Sequence, residues 1–444
     1  MGVELSVALR RIHANRPAAG SQFYVSLAPG IFNPLFQNEP AYADVALPDA
    51  GFQLLALYRF WNIIQYWFPY RDVIGETWNN VLREFVPRLA LAKTASDYDR
   101  QLLALIARVH DTHANLWSSL SARPPVGACQ LPVTLRFVDG RAVVTSGGGG
   151  LETGDVVTAL DGVPVTKLIA DWSPYYAASN EPTRLRDIAR SMTRGACGAT
   201  SVGIERRSGR QTITAARVTA AAPAGPITHD LPGPTFRKLS EDVAYLKLSS
   251  VKAADAKTYI SGATGTKGLV IDIRNYPSEF VVFALGRLLA ADQVAFARFT
   301  SADLVNPGAF HWGPVASLTP AQPHYSGKVV IVVDEVSQSQ AEYTTMAFRS
   351  SKGAVVVGST TAGADGNVST IPLPGGRRSL ISGIGVFYPD KRPTQRVGIL
   401  PDVVVTPTIA GIRAGRDEVL EAAIREIVGP AVPLAEIQKM ISSR

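Results

Sequence analysis

Cysteine is nearly absent, with Cys129 and Cys197 the only two in 444 residues. Their spacing is no metal-ligand pattern and neither has the flanks of a catalytic thiol, so cysteine-based metal sites and a cysteine nucleophile are set aside. A pair of buried thiols and a single disulfide both fit. Also missing is any apolar run approaching the roughly 18–20 residues of a membrane-spanning helix. There is no block of like charge and no basic stripe interleaved with aromatics. The net charge of +7 comes from scattered Arg and Lys and reads as a solvated basic surface rather than a nucleic-acid interface. The opening Met1-Gly2-Val3-Glu4 has neither the basic nor the apolar region of a signal peptide. What remains is an ordinary globular composition, 46% hydrophobic and 18% charged, long enough for two or three domains.

The most informative stretch is 328–358, KVVIVVDEVSQSQAEYTTMAFRSSKGAVVVG. Residues 329–333 form a β-branched run short enough for a fully buried strand. A helical pattern begins near Ser339, with Tyr343, Met346 and Ala347 on one face. A second β-branched strand, 354–357, follows Gly353. Ser339 therefore falls at a strand-to-helix turn, where free N–H groups and the helix dipole would stabilise an oxyanion. The same Ser339-Gln340-Ala341-Glu342 also fits a capping box, in which the serine only caps the helix. The local residues support both roles.

Residues 1–50, rich in Pro, Ala, Asn and aromatics, predict an extended segment. From Phe52, apolar residues recur at helical spacing until Pro69, and further helices are expected at about 77–89 and 96–109. The aromatic cluster Trp61, Tyr66, Trp67 and Phe68 reads as packing between helices, with a substrate groove as the alternative. Residues 122–222 read as a β-rich domain with one helix near 180–194. Residues 221–234 carry four prolines and read as a linker. An α/β part follows over 223–444, with strands at 242–248 and 268–273, a helix at 279–290, an irregular stretch up to Pro323, and a closing helix at 416–428.

Several motifs resemble those of the C-terminal-processing (tail-specific) serine peptidases and their tricorn-like relatives. Ser337-Gln338-Ser339-Gln340-Ala341-Glu342 resembles the Ser-Ala-Ser-Ala-Ser-Glu nucleophile motif, which puts the nucleophile at Ser339. Asp111-Thr112-His113-Ala114 resembles the element that carries the tricorn-type histidine, making His113 the base and Thr112 its neighbouring hydroxyl; His110 is the competing histidine. Gly154-Asp155 through Asp161-Gly162 resembles a protease PDZ domain, which would either hold an extended peptide or only pack as a cap. Asp272-Ile273-Arg274-Asn275-Tyr276-Pro277 resembles the oxyanion loop, with Ser278 and Glu279 in place of its glycines. The resemblance implies oxyanion N–H groups from Gln340 and Ser278.

Two departures choose between branches of the family. The catalytic lysine of the tail-specific branch maps to Ala364, and Lys352 lies at the far end of the nucleophile helix, so a Ser-His site is implied. The glutamate of the tricorn-like branch maps to Gln395, leaving Asp390 and Asp111 as alternative carboxylates. The resemblance implies a Clp-protease/crotonase-like ββα core (223–444), an N-terminal helical region (51–121) and an inserted PDZ-like domain (122–222). It implies a serine peptidase acting on peptide or protein with no metal and no organic cofactor. It further implies export to the periplasm or beyond, with a signal segment removed; the sequence itself leaves a cytoplasmic location and the oligomeric state open. A non-catalytic binder of apolar ligand or peptide, and a serine esterase or acyl transferase, are the competing functions.

Overall fold

The β-branched runs of the C-terminal half assemble into one six-stranded sheet, ordered Phe236–Lys238, Val243–Lys247, Gly268–Asp272, Lys328–Val333, Val355–Gly358 and Val403–Val404. The computed structural model describes residues 2–15, 22–117, 122–219 and 227–442. The first pair of the sheet is antiparallel and every later pair is parallel. All residues of Val243–Lys247 and Gly268–Asp272 are buried, as continuous apolar strands covered on both faces require. Ile260, Leu285, Met346 and Phe348 pack on one face; Val419, Leu420, Ile424 and Ile437 pack on the other. The site is built at the carboxyl ends of these strands, where an open parallel sheet leaves its loops.

Helices Ala50–Trp67, Trp78–Ala90 and Ala95–Ala107 pack into a helical region. Trp67 and Phe68 are buried in its core. The Trp61 and Trp78 indoles each donate to the other's carbonyl at 3.0 Å, so this part of the aromatic cluster is packing. Tyr66 alone of the four is exposed. Ile371, Leu373 and Ile381, from the hairpin Val368–Leu373 and Arg377–Ser382, complete the same core. That shared core fixes the hairpin against the segment after the third helix.

The inserted domain has its own core of Leu131, Val144, Val157, Ile188, Met192, Val202 and Ile204. Its sheet runs Thr134–Val138, Arg141–Ser146, Val156–Leu160, Gly198–Arg206, Gly209–Thr219, Cys129–Gln130 and Arg194–Gly195. Cys129 and Cys197 are joined by a disulfide, which decides between the two readings of the cysteines.

Two stretches differ from expectation. Residues 3–14, expected as extended chain, form the helix Val3–Ala14. Its sequence holds only helix-compatible residues once the nearby prolines are excluded. The irregular stretch before Pro323 contains the strands Val294–Ala302 and Phe310–Leu318, paired with each other and with Gly385–Phe387. Register shifts at 295/297 and 298/300 break the two-residue alternation that would have announced them. Of the predicted linker, residues 221–226 lie outside the described residues, and 227–234 carry no helix or strand.

Gly358 ends a core strand at φ +132°, where an added Cβ would meet the Val333 carbonyl oxygen at 1.9 Å. Both the backbone angle and the clash oppose a side chain. We expect Gly358→Ala to lower stability by about 3 kcal/mol or more, measured by urea unfolding.

Candidate active site

Ser339 precedes helix Gln340–Arg349 with φ 57° and ψ −118°. The ordinary caps Asp49, Thr94 and Asn180 are instead extended. A non-glycine residue held in such a conformation costs on the order of 1–3 kcal/mol and persists only where its surroundings enforce it. Here the Ser339 N–H is donated to the Ala364 carbonyl at 2.9 Å and to Glu342 Oε2 at 3.1 Å. Ser339 and Glu342 thus stand in the capping-box arrangement, with the bond from the Ser339 N–H to the Glu342 carboxylate at 3.1 Å. The Tyr276 phenol sits beside Ser339: burial raises the pKa of that phenol and the Ser339 side chain opposes the rise. Upstream, Ser337 Oγ donates to the Ile273 carbonyl at 2.7 Å, tying the turn to the neighbouring strand.

Glu342 is the group that enforces the turn. Its fully buried carboxylate also accepts from Thr361 Oγ1 at 2.5 Å, Gly363 N at 2.8 Å and Ala364 N at 3.0 Å. Burial pushes its pKa up despite these donors. Burial and the nearby Glu342 likewise hold Asp365 well above the usual carboxylate range. Sequence reasoning saw Glu342 only as a capping partner, because three of its donors lie about twenty residues away.

His113 stands on the segment after the third helix. Its Nδ1 lies 2.9 Å from Ser382 Oγ, and its side chain is 10% exposed. Burial lowers its pKa, Asp111 opposes that, and Arg186 adds to it. Thr112 and Ser179 interlock: Thr112 N donates to Ser179 Oγ at 3.0 Å and Ser179 N to Thr112 Oγ1 at 2.9 Å. Gln395 is buried with its Nε2 3.3 Å from Asp111 Oδ1 and 3.4 Å from Ser179 Oγ. His110 turns away to Glu76, 3.2 Å from its Nε2.

Ser339 lies beside Tyr276, and His113 bonds Ser382. What connects their surroundings is the segment 361–365, which meets Ser339 through Ala364 and Thr112 through the Ala362 carbonyl, 3.3 Å from Thr112 Oγ1. Arg186, whose charge acts on His113, also donates to Gln338 Oε1 at 3.0 Å.

The remaining candidates divide. Gln340 opens the helix, so its N–H is one of those without an intrahelical acceptor, and its side chain donates to the Glu279 carbonyl at 2.8 Å. The Ser278 N–H, expected to hold an oxyanion, is instead donated to the Leu248 carbonyl at 2.9 Å. Asp390 is paired at the surface with Arg392, far from the role of a supporting carboxylate. Ala364, at the lysine position, is fully buried. His229, Asp334 and Glu335 come together beside the turn, but the Arg136 guanidinium already binds both acids at 2.8–3.0 Å.

Removing the Glu342 carboxylate would leave three buried donors, Thr361 Oγ1, Gly363 N and Ala364 N, without an acceptor, while the Ser339 N–H keeps the Ala364 carbonyl. Each such loss costs roughly 1–3 kcal/mol, so Glu342→Ala is expected to lower stability by at least about 3 kcal/mol. It should also abolish reactivity at Ser339, read by urea unfolding alongside serine labelling. Glu342→Gln should be milder in both.

Residues 242–405 match Peptidase family S41. A search of the curated proteins finds no match. Among solved structures, mature CPAF complexed with lactacystin is similar with a TM-score of 0.67 and 15% identity, covering 88% of this chain and 99% of that one. Mature CPAF is similar with a TM-score of 0.64 and 15% identity, covering 82% and 94%. At that identity the likeness speaks for the fold, and the family match over the strand-and-turn region speaks for the chemistry. Residues 242–405 carry a peptidase family S41 domain, and the protein is a serine-type peptidase.

Proposed function

We propose that Ser339 is the nucleophile and His113 the general base of this peptidase. Ser339 Oγ attacks the scissile carbonyl carbon while its proton passes to His113 Nε2. The tetrahedral intermediate collapses as that proton moves to the leaving amine, and water then hydrolyses the acyl-serine by the same route. The observation that carries this reading is the strained Ser339 turn at a helix N-terminus, held open by Glu342 rather than relaxed into an ordinary cap. The Gln340 N–H and, in place of Ser278, the Tyr276 hydroxyl are the oxyanion donors. Thr112 and Gln395 support the histidine by fixing the 111–113 segment through Ser179.

We assign the inserted domain to recognition of the substrate's C-terminal end. Thr134–Val138 is an edge strand beside helix Glu181–Met192, an arrangement that suits addition of an extended peptide. Arg136 of that strand reaches Asp334 and Glu335, and Arg186 of that helix reaches Glu335 and Gln338, so both walls touch the nucleophile turn. The disulfide supports an oxidising location, periplasmic or secreted.

Labelling by a fluorophosphonate serine probe tests the site. Ser339→Ala should abolish labelling, His113→Ala should slow it by about 10³-fold or more, and Tyr276→Phe by about 10²-fold. Only neutral imidazole accepts the proton, and burial keeps His113 neutral to lower pH than an ordinary histidine. The labelling rate should therefore hold at pH 6.5 and fall only as pH drops through that lowered value. Equal labelling of wild type and Ser339→Ala would refute the assignment.

A further inference from the structure

A general base of this kind needs an acceptor on its non-reacting ring nitrogen, and Gln395 does not reach that nitrogen. Its Nε2 contacts Asp111 and Ser179, and its Oε1 makes no hydrogen bond to the ring or to any other described residue. The atom beside His113 Nδ1 is Ser382 Oγ, at 2.9 Å. Ser382 Oγ lies 3.0 Å from Asp111 Oδ1, and the Ser382 N–H donates to Asp111 Oδ2 at 2.7 Å. Both Ser382 and Asp111 are fully buried. The Asp111 carboxylate further accepts from the His113 N–H at 3.1 Å. Direct contact from Asp111 Oδ1 to His113 Nδ1 is longer, 3.8 Å.

We propose that Asp111 and Ser382 are the positioning residues of His113, forming a carboxylate–hydroxyl–imidazole relay that takes the place of a carboxylate bonded directly to the ring. This rests on His113 being the base. The proton count fixes the direction of the relay. An ionised carboxylate only accepts, so the single Ser382 hydroxyl proton goes to Asp111. Ser382 Oγ can then only accept from His113, which places the ring proton on Nδ1. Nε2 is left with its lone pair for the Ser339 proton. When the ring becomes imidazolium, Asp111 stabilises the charge through the hydroxyl and across 3.8 Å, while Arg186, from the inserted domain's helix, opposes it.

The relay has a sequence logic. Asp111 precedes His113 by two residues, but Ser382 comes from the end of a hairpin 269 residues later. The hairpin is anchored there because Leu116 and Trp117 pair with Ser379 and Arg378.

The test uses the full chain and the fluorophosphonate probe, with the labelling rate constant followed against pH. Asp111→Asn should slow labelling by about 10²–10⁴-fold, because an amide can reverse the hydroxyl and turn the ring to the wrong tautomer. Its acid limb should also move to lower pH, since the charge that favours imidazolium is gone. Ser382→Ala should slow labelling and Ser382→Thr, which keeps the hydroxyl, should restore it. If Asp111→Asn fails to fold, the Ser382 pair decides. The proposal is overturned if Ser382→Ala labels like wild type, or if Ala and Thr are equally slow with an unmoved acid limb, which is the signature of packing alone. Should Ser339→Ala and His113→Ala abolish labelling while Asp111→Asn and Ser382→Ala do not, only the relay falls and the Ser-His assignment stands. Should Ser339→Ala still label, the Ser-His assignment itself falls.

Discussion

One buried carboxylate, that of Glu342, holds the catalytic architecture together. A carboxylate without water is tolerable only when its lone pairs are filled, and Glu342 fills them with Ser339 N, Gly363 N, Ala364 N and Thr361 Oγ1. These donors come from two segments that are otherwise joined here by the backbone bonds Ser339 N–H to the Ala364 carbonyl and Ala362 N–H to the Ser337 carbonyl, each 2.9 Å. The strained turn and the 361–364 segment are therefore stable only as a unit. The cost of a serine at φ 57° is offset by hydrogen bonds to a charged acceptor, which are stronger than those between neutral groups. An exposed acid could not do this, because water would compete for the same donors.

The 361–364 segment is in turn the meeting place of the other parts. Asn180 Nδ2 donates to the Thr361 carbonyl at 2.8 Å, and the Arg396 N–H to the Gly363 carbonyl at 2.8 Å. The inserted domain, the helical region and the C-terminal loops thus all register against the backbone that Glu342 fixes. Gly363 at φ +67°, with Arg396 backbone 3.0 Å from where a Cβ would stand, shows how close that approach is. A site assembled from such distant parts relies on the apolar cores beneath it for its accuracy. Here the helical region and the 368–382 hairpin share one core, which explains how residues 111 and 382 arrive at the same point.

Much of this was legible in the sequence where the signal is local. The β-branched runs before and after residue 339 gave the parallel strands within one or two residues, and the helices at 50–67, 78–90 and 95–107 followed from apolar periodicity and Pro69. Ser339 at the strand–helix turn was readable for the same reason. The supporting shell was not readable, because its logic lies in proximity. Ser382 carries no motif, Ser179 is one serine among many, and the far donors of Glu342 are backbone groups. Ser278 misled because its N–H is claimed by a strand end, at Leu248, that only the fold brings near. The bulged strands at 294–302 and 310–318 were missed because bulges erase period-two alternation.

The replacement of a lysine by Ala364 accounts for the division of labour among the acids. An ammonium at that position would lie beside the buried carboxyls of Glu342 and Asp365 and favour their ionised forms. With a methyl group there, Asp365 is pushed toward its neutral form by burial and by Glu342, and Glu342 keeps its backbone donors for the turn. In the proposed mechanism proton transfer falls instead to His113, which stands with Asp111 on a short segment against Ser382. The serine turn and the His113 segment are each held by a separate buried carboxylate, Glu342 and Asp111.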